Sequence, residues 1–396
     1  MKRSLLPLAL GGLTIGITEF VMMGLLPDIS KDLDISITKA GYLISGYALG
    51  VVIGAPLLVV LGRNFPPKKM LLLLAVLLTV FNALSIVAPG FDLLVVSRIL
   101  SGLPHGAFFG VGAVVAARLA DEGKEARSVA LMFSGLTLAN VIGVPIGTYV
   151  GHHLHWRYTF VIIAAIGLLT VLAMLLWMPK LERQNQAPMR SQLGFFTKPQ
   201  AWLIIFIVAV GTGGLFCWIS YIAKLLTDVS GFEESSVPYI LMLAGFGMVV
   251  GNFLGARVAD RFSPAYAVLI TLLLMALVLT GVYFLSENQY ISLFFVFATG
   301  CIAFALVAPV QMLMIQTAKG SEMIASAVIQ ASFNTGNALG AYLGGLPIDE
   351  GYGFASPNLV GVGMAMLGAL GAAVFIKFYP TERSGEKVVM GHDKMF

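Results

Sequence analysis

The chain has 396 residues, of which 58% are hydrophobic and 11% are charged, against roughly 25% charged in an average soluble domain. This composition excludes an ordinary soluble enzyme or binding domain, and the net charge of +4 says little about nucleic acid. Cys217 and Cys301 both lie in apolar stretches, so we expect neither a disulfide nor a metal site. Lys2 and Arg3 precede an apolar run too long for a signal peptide, and we expect that run to remain as the first membrane span.

Apolar runs of about 20 residues predict an all-α integral membrane protein of about twelve transmembrane helices, because a hydrocarbon core about 30 Å thick requires that length. The predicted domains are an N-terminal six-helix bundle at 1–178, a polar cytoplasmic linker at 179–199, a C-terminal six-helix bundle at 200–379 and a cytoplasmic tail at 380–396. The predicted spans are 4–27, 38–61, 70–89, 92–117, 127–151, 157–178, 200–226, 236–258, 266–285, 291–316, 323–346 and 357–379.

The basic residues indicate how the chain is oriented, since Lys and Arg concentrate in cytoplasmic loops. With the N-terminus inside, 19 of the 24 Lys and Arg residues fall on the cytoplasmic side, 4 fall outside and Arg98 falls within a span. We therefore expect both termini in the cytoplasm.

The two halves of the sequence repeat at an offset of 197 residues. Parallel six-helix repeats are typical of transporters, which hold the substrate between the halves. Channels and membrane enzymes rarely show such repeats. The matching positions are Gly50 with Gly247, Gly54 with Gly251, Phe65 with Phe262, Pro67 with Pro264, Asn140 with Asn337, Gly143 with Gly340 and Gly147 with Gly344.

Glycines at intervals of four residues form ladders on four predicted helices. This spacing places them on one helix face, where small residues allow close approach of backbones. One interpretation is static packing. The other, which the repeat-related positions favour, is that the ladders form smooth surfaces on which the halves rock. The ladders are Gly46, Gly50 and Gly54; Gly135, Gly143, Gly147 and Gly151; Gly247, Gly251 and Gly255; and Gly336, Gly340 and Gly344.

Several motifs resemble those of the major facilitator superfamily, and together they cover nearly the whole chain. In the first copy of the family's loop motif, Arg63 and Asn64 stand where the family has Asp and Arg, so the cytoplasmic gate of the first half departs from the pattern. The resemblance implies a fold of two pseudo-symmetric six-helix bundles. The matching positions are Gly255, Ala259, Asp260, Arg261 and Phe262 in the second loop copy, and Arg98, Gly102 and Gly106 in the fourth span.

The fifth span carries Gly143, Pro145 and Gly147 in a pattern that is similar to the antiporter motif of exporters. Three further stretches resemble the drug:proton antiporter family, and their nearest similarity is to bacterial exporters called arabinose efflux permease-like. The resemblance implies proton-driven export and does not establish sugar as the substrate. The stretches are 18–27, 46–56 and 101–112.

Glu19 is the one carboxylate well inside a predicted span, where a charge is costly and by default marks function. Because burial favours the protonated carboxyl, Glu19 is a candidate proton carrier. Glu19 lies eight residues from Pro27, roughly 12 Å from the outer helix end. Arg98 lies six residues from Asp92, roughly 9 Å from the outer end, so we expect the two to pair. His105, two turns further along, could relay a proton or contact substrate.

Simpler interpretations remain for these residues. Glu19 and Arg98 could form a purely structural pair, and His105 could hydrogen-bond a neighbouring helix. The outer histidines within 152–155 are of a metal-ligating type, but a short loop without a clear fourth ligand is more simply solvated.

The second half has no carboxylate within a predicted span and offers aromatic and amide surface instead. Methionine and aromatic side chains suit adaptable apolar ligands, although in so apolar a protein most of them face lipid or neighbouring helices. We expect the first half to couple protons and the second half to hold substrate. The cavity candidates are Met22, Met23, Phe108, Phe109, Met132, Phe133, Phe216, Trp218, Tyr221, Gln311, Gln330 and Asn334.

The sequence favours proton-coupled efflux of a small amphipathic or drug-like molecule by alternating access. The alternatives are export of a sugar or another metabolite through the amides, and uptake by proton symport, against which the motif in the fifth span argues. A membrane enzyme would need a nucleophile–base or metal constellation, and a channel would need a repeated pore ring. We expect a monomer whose partners are protons, a small-molecule substrate and lipid, without nucleic acid, cofactor, metal or catalytic residue.

Overall fold

The computed structural model describes residues 3–62, 64–121, 125–182, 194–261, 263–318 and 322–379, and within them it contains helices and no strand. Four helices begin at a proline, where the missing amide hydrogen leaves no helical bond unmade. The helices are α1 (Leu6–Asp32), α2 (Ile37–Gly62), α3 (Pro67–Ile86), α4 (Phe91–Leu119), α5 (Glu125–Leu138, Ala139–Gly143 and Val144–His153), α6 (Trp156–Trp177), α7 (Pro199–Gly211, Gly213–Ser220 and Ile222–Lys224), α8 (Val237–Arg261), α9 (Pro264–Leu285), α10 (Gln289–Ala305 and Val307–Thr317), α11 (Glu322–Asp349) and α12 (Pro357–Phe378).

The predicted all-α membrane fold is confirmed. Eleven helices of the described chain are long and apolar enough to cross a bilayer. The remaining helix, α11, has 28 residues but is less apolar, because it carries Gln330, Asn334 and Asn337 on a face that meets the interior. Helix α1 continues through Pro27 to Asp32, beyond the predicted end of the first span.

Three helices are interrupted where the chain has to bend. In α5 the turn Ala139–Gly143 is a π-helix directly before Pro145, whose ring cannot donate an amide hydrogen to the preceding turn. Helix α7 is broken at Thr212 and Tyr221, and α10 at Leu306. The breaks at Ala139–Gly143, Thr212 and Leu306 lie near the middle of their helices, where helix direction decides which side chains face the interior, and the break at Tyr221 lies toward the outer end of α7.

Helices α1–α6 and α7–α12 form two bundles, which meet mainly through α1, α2 and α5 on one side and α7, α8 and α11 on the other. Most of the predicted linker, 183–193, and the predicted tail, 380–396, lie outside the described residues, so the predicted domain boundaries stay a prediction. The side on which α6 ends and α7 begins is called the inner side below, because the charge bias predicts that it is cytoplasmic. The opposite side is called the outer side.

The glycine ladders lie inside the two bundles, which corrects the expectation that the halves rock on them. A Cβ on Gly50 would lie 2.0 Å from the carbonyl oxygen of Ile99 in α4, and one on Gly251 would lie 1.9 Å from that of Cys301 in α10. The ladder on α11 faces α7 of its own bundle, and the ladder on α5 faces α1, where a Cβ on Gly135 would meet a backbone oxygen and one on Gly143, Gly147 or Gly151 would meet a side chain. Backbone or side-chain atoms of a neighbouring helix therefore fill the space of the missing side chains, and the ladders allow close packing within each half.

The loop motif of the second half begins at Gly255, where a Cβ would lie 2.2 Å from the carbonyl oxygen of Ala305 in α10. Asp260 and Arg261 form the end of α8. Their side chains lie outside the described part of the chain, so a gating role for them stays a prediction.

Candidate transport cavity

A cavity of about 660 Å³ lies between the two halves, in the inner part of the molecule. Phe133 of α5 lines it from the first half, and Gln311 of α10 and Gln330 of α11 line it from the second. Asn252 of α8 and Met312 of α10 are exposed near its inner end, so the cavity is accessible from the inner side. Its volume suits a small molecule, since such sites commonly span roughly 300–1,000 Å³.

The cavity wall is mainly apolar, with a few neutral polar groups. Among the described residues that line it, Glu19 is the only carboxylate and His105 the only other titratable side chain. A wall of this kind favours amphipathic ligands, because it offers broad apolar contact and few fixed charges. The aromatic lining residues are Phe20, Phe133, Phe216, Phe304 and Phe333, and the amides are Asn252, Gln311, Gln330 and Asn334.

On the outer side the halves close over the cavity where α2 meets α11. Ser45 Oγ of α2 donates a hydrogen bond to the carbonyl oxygen of Ala338 in α11, 3.1 Å away. Tyr221 Oη donates to the carbonyl oxygen of Ala341 at 2.6 Å, and a Cβ on Gly41 of α2 would lie only 2.7 Å from that hydroxyl. The hydroxyl of Tyr221 therefore fills the space between α2 and α11.

A second contact closes the outer side where α5 meets α8. A Cβ on Gly245 of α8 would lie 2.4 Å from the carbonyl oxygen of Asn140, in the π-helical turn of α5. At the rim, His152 Nδ1 lies 3.2 Å from Asp28 Oδ1 of α1, and its Nε2 lies 3.9 Å from Glu234 Oε2 of the second half. The contacts at Ser45–Ala338, Gly245–Asn140 and His152–Glu234 together are called the outer closure.

Glu19 lines the cavity but is only 6% exposed. Its Oε1 accepts a hydrogen bond from Nδ2 of Asn337 at 3.3 Å. Because Asn337 lies on α11, this bond joins the first half to the second. The expected ion pair with Arg98 does not form in the described residues, since the guanidinium is held elsewhere.

Arg98 is fully buried beside Glu19 and binds the backbone of two neighbouring helices. Its Nη2 donates to the carbonyl oxygen of Thr18 in α1 at 2.9 Å, and its Nε donates to that of Leu43 in α2 at 3.4 Å. The bond to Thr18 holds α1 in place at the residue before Glu19. The Nη1 donor of Arg98 stays without a hydrogen-bond partner in the described residues.

Tyr47 of α2 connects Arg98 with His105. The guanidinium carbon of Arg98 lies 4.5 Å from the centre of the Tyr47 ring, and the Tyr47 hydroxyl lies 3.0 Å from Nδ1 of His105. Gly102 allows α2 and α4 to lie close enough for these contacts, because a Cβ on Gly102 would lie 2.1 Å from the carbonyl oxygen of Tyr47. Glu19, Arg98, Tyr47 and His105 thus form one buried polar group, called the buried polar cluster below.

The structure brings five of the twelve cavity candidates to the cavity wall: Phe133, Phe216, Gln311, Gln330 and Asn334. The other seven pack elsewhere, because apolar side chains at the same depth are needed to join helices. Phe109 stacks on Phe133 at 4.9 Å between ring centres, one layer behind the wall. Trp218 and Tyr221 are buried in the outer part of the molecule. Met22, Met23, Phe108 and Met132 are buried among neighbouring helices.

Sequence reasoning missed Tyr47, Asn337, Phe304 and Phe333. Spacing could have found two of them, because Gln330, Phe333, Asn334 and Asn337 recur at intervals of three and four along one face of α11. Tyr47 carries no such signal, since its role depends on how α2 is rotated against α4.

The comparisons with known proteins agree with this geometry. The Major Facilitator Superfamily model matches residues 8–329. AraJ of Escherichia coli (strain K12) is 39% identical, over 93% of this chain and 92% of that protein. The "Chloramphenicol resistance protein" of Streptomyces lividans is 29% identical, over 86% of this chain and 88% of that protein. The "Probable sugar efflux transporter" of Helicobacter acinonychis (strain Sheeba) is 28% identical, over 90% of this chain and 88% of that protein.

Solved structures share the fold. The crystal structure of a D-xylose-proton symporter matches with a TM-score of 0.75 at 17% sequence identity, and the match covers 96% of this chain and 98% of that one. At this identity the similarity concerns the architecture alone.

Proposed function

Since the chain belongs to the Major Facilitator Superfamily, and is thus a multi-pass membrane transporter of small molecules rather than an enzyme, we propose that it exports amphipathic or drug-like compounds in exchange for protons. The observation that carries the proposal is Glu19, the one carboxylate among the described residues of the cavity wall. An ionisable group inside a membrane span is costly and marks a proton or ion pathway.

The proposed cycle uses one cavity that opens to either side in turn. With the cavity open outward, Glu19 takes a proton and substrate leaves. The neutral carboxyl is easier to bury, so the transporter closes and reopens inward, where the proton departs and substrate binds again. Arg98 stays on its backbone partners and favours the ionised form of Glu19, and His105 contacts substrate or passes the proton at the cavity wall.

The proposal includes the setting in which the protein works. The bacterial relatives support a bacterial inner membrane, and the predicted excess of Lys and Arg on the inner side supports both termini in the cytoplasm. We propose a monomer as the working unit, because each chain contains a whole cavity between its own two halves.

A specific observation favours a second candidate, which is export of a sugar or another polar metabolite. Four amides line the cavity, and each offers a donor and an acceptor for hydroxyl groups. The sugar efflux relative from Helicobacter supports the same alternative. Proton symport is the third possibility, and the direction of proton movement separates it from export.

The proposal is tested in liposomes that contain the purified protein and a pH dye. The liposomes are loaded with chloramphenicol, a cationic dye, arabinose or another sugar, one compound in each preparation, an inward proton gradient is imposed, and lumenal pH is followed. A compound that is exchanged for protons speeds the dissipation of the gradient in the wild type. The compound that does so identifies the substrate class.

Glu19→Gln is the decisive variant, and Glu287→Gln is its matched control, because Glu287 is exposed in the loop between α9 and α10. Glu19→Gln should still exchange labelled compound across the membrane but should not move protons, whereas the control should behave as the wild type. Proton-driven accumulation that persists in Glu19→Gln would refute the assignment of Glu19.

A further inference from the structure

Asn337 is a buried residue to which the proposed cycle gives no role. The side chain of Asn337 is 0% exposed, and within the described residues its amide group makes one hydrogen bond, which goes to Glu19. The repeat relates Asn337 to Asn140, whose Nδ2 instead donates to the Leu136 carbonyl oxygen of its own helix at 3.0 Å. Of this repeat-related pair, only the second-half member therefore reaches across to the carboxylate of the other half.

The position of Asn337 links this bond to the outer closure. The next residue, Ala338, accepts the hydrogen bond from Ser45, and Ala341 one turn later accepts the hydrogen bond from Tyr221. One turn of α11 thus contacts α1 at Glu19 and α2 at Ser45. The outer side cannot open between α2 and α11 without also pulling Asn337 away from Glu19.

We propose that Asn337 is a positioning residue that locks the empty transporter in the state open to the inner side while Glu19 is ionised. This inference rests on the proposed function, because it assigns to the second half the residue that senses the protonation of Glu19. An amide hydrogen bond to a carboxylate is roughly twice as strong as one to a neutral carboxyl. The lock is therefore strong when Glu19 is ionised and weak when a proton has bound.

Such a lock solves a problem that every antiporter has. An empty, deprotonated carrier that opens outward takes up a proton there and carries it inward, so that protons enter without substrate leaving. Substrate or a proton in the cavity must release the carrier, and both can do so at Glu19. Nη1 of Arg98, without a partner in the described residues, is a donor that the released carboxylate can use within its own half.

The groups that face Glu19 set the conditions of a pH test. Arg98 and His105 come from α4, and Tyr47 comes from α2. From α7 and α11 no titratable side chain lines the cavity among the described residues. A pH response that vanishes in Glu19→Gln therefore belongs to Glu19 and not to these neighbours, which that variant keeps.

The test measures the outer closure directly and needs no substrate. Tyr42 of α2 and Tyr342 of α11 are 42% and 46% exposed, and their ring centres lie 6.1 Å apart across the two halves. Both are replaced by cysteine and labelled with pyrene, in full-length protein in nanodiscs that also carries Cys217→Ala and Cys301→Ala. Pyrene excimer emission then reports the closed outer side, and this double label is called the outer reporter.

The empty wild type should show high excimer emission at alkaline pH and lower emission at acidic pH. Asn337→Leu should remove the alkaline advantage, so that at alkaline pH the ratio of closed to open outer side falls about tenfold to a hundredfold and the part of the pH response that Glu19 causes is lost. Asn140→Leu is the matched control and should keep the wild-type response. Asn337→Asp should invert the response, because two carboxylates repel each other at alkaline pH and share a proton at acidic pH.

The outcomes separate this inference from the proposed function. If the wild type responds to pH, Glu19→Gln does not, and Asn337→Leu responds as the wild type does, the lock at Asn337 is refuted while Glu19 stands. If the wild type gives the same excimer emission at every pH, Glu19 does not control the outer closure and both ideas fail. A response that Asn337→Leu loses and Asn337→Asp inverts excludes a merely structural role for the amide.

Discussion

The contact between α5 and α8 predicts that one methyl group can open the outer side. Gly245→Ala places a Cβ 2.4 Å from the carbonyl oxygen of Asn140 and 2.7 Å from its carbonyl carbon, whereas ordinary contacts begin at 3.4 Å. Neither neighbour can turn aside, because both are backbone atoms of a helical turn. The two helices must separate by roughly 1 Å, and overpacking of this kind costs about 1–3 kcal/mol.

Because Gly245 and Asn140 belong to different halves, this cost falls on the closed outer side and not on the fold of either half. A penalty of about 1–3 kcal/mol lowers the ratio of closed to open outer side roughly fivefold to 150-fold. The outer reporter should therefore lose excimer emission in Gly245→Ala at alkaline pH, while the midpoint of thermal unfolding changes little. Gly363→Ala on α12 is the control, since nothing lies within 4 Å of its Cβ. Wild-type excimer emission in Gly245→Ala would show that the outer closure does not depend on this contact.

Two further predictions test the packing inside one half and the polar contact between the halves. Gly251→Ala places a Cβ 1.9 Å from the Cys301 carbonyl oxygen of the same half, so it should lower the free energy of unfolding by about 1–3 kcal/mol, seen as a lower midpoint of thermal unfolding. An unchanged midpoint would contradict close packing of α8 on α10. Ser45→Ala removes the bond to α11 and should lower the closed fraction in the outer reporter about fivefold, as expected for about 1 kcal/mol. Ser134→Ala, whose hydroxyl is exposed and bonds its own helix at Leu131, should leave the reporter unchanged; equal effects of the two variants would refute the assigned contact.

The membrane fold could be predicted from the sequence because the bilayer dictates the length of every span. The same rule identified Glu19, since a carboxylate inside an apolar run is unusual enough to need no further context. The partner of Glu19 could not be predicted in this way. Sequence gives the depth of a residue along its helix but not the direction of its side chain, and Arg98 and Asn337 both reach the level of Glu19.

The glycine ladders and the bond at Asn337 belong to one physical argument. Ladders that bring backbones into contact inside each half leave little room for movement there, so motion is confined to the surface between the halves. Polar bonds at Ser45 and Asn337 join the halves at that surface, and the bond from Asn337 ends on the carboxyl group that gains and loses a proton in the proposed cycle. A change in charge at Glu19 therefore acts on the balance between closed and open outer side instead of being absorbed by small shifts within a bundle. Rigid halves whose contact at Asn337 depends on the charge of Glu19 are what coupling by Glu19 requires. For this reason a variant that loosens a ladder should weaken coupling even though it leaves the buried polar cluster intact.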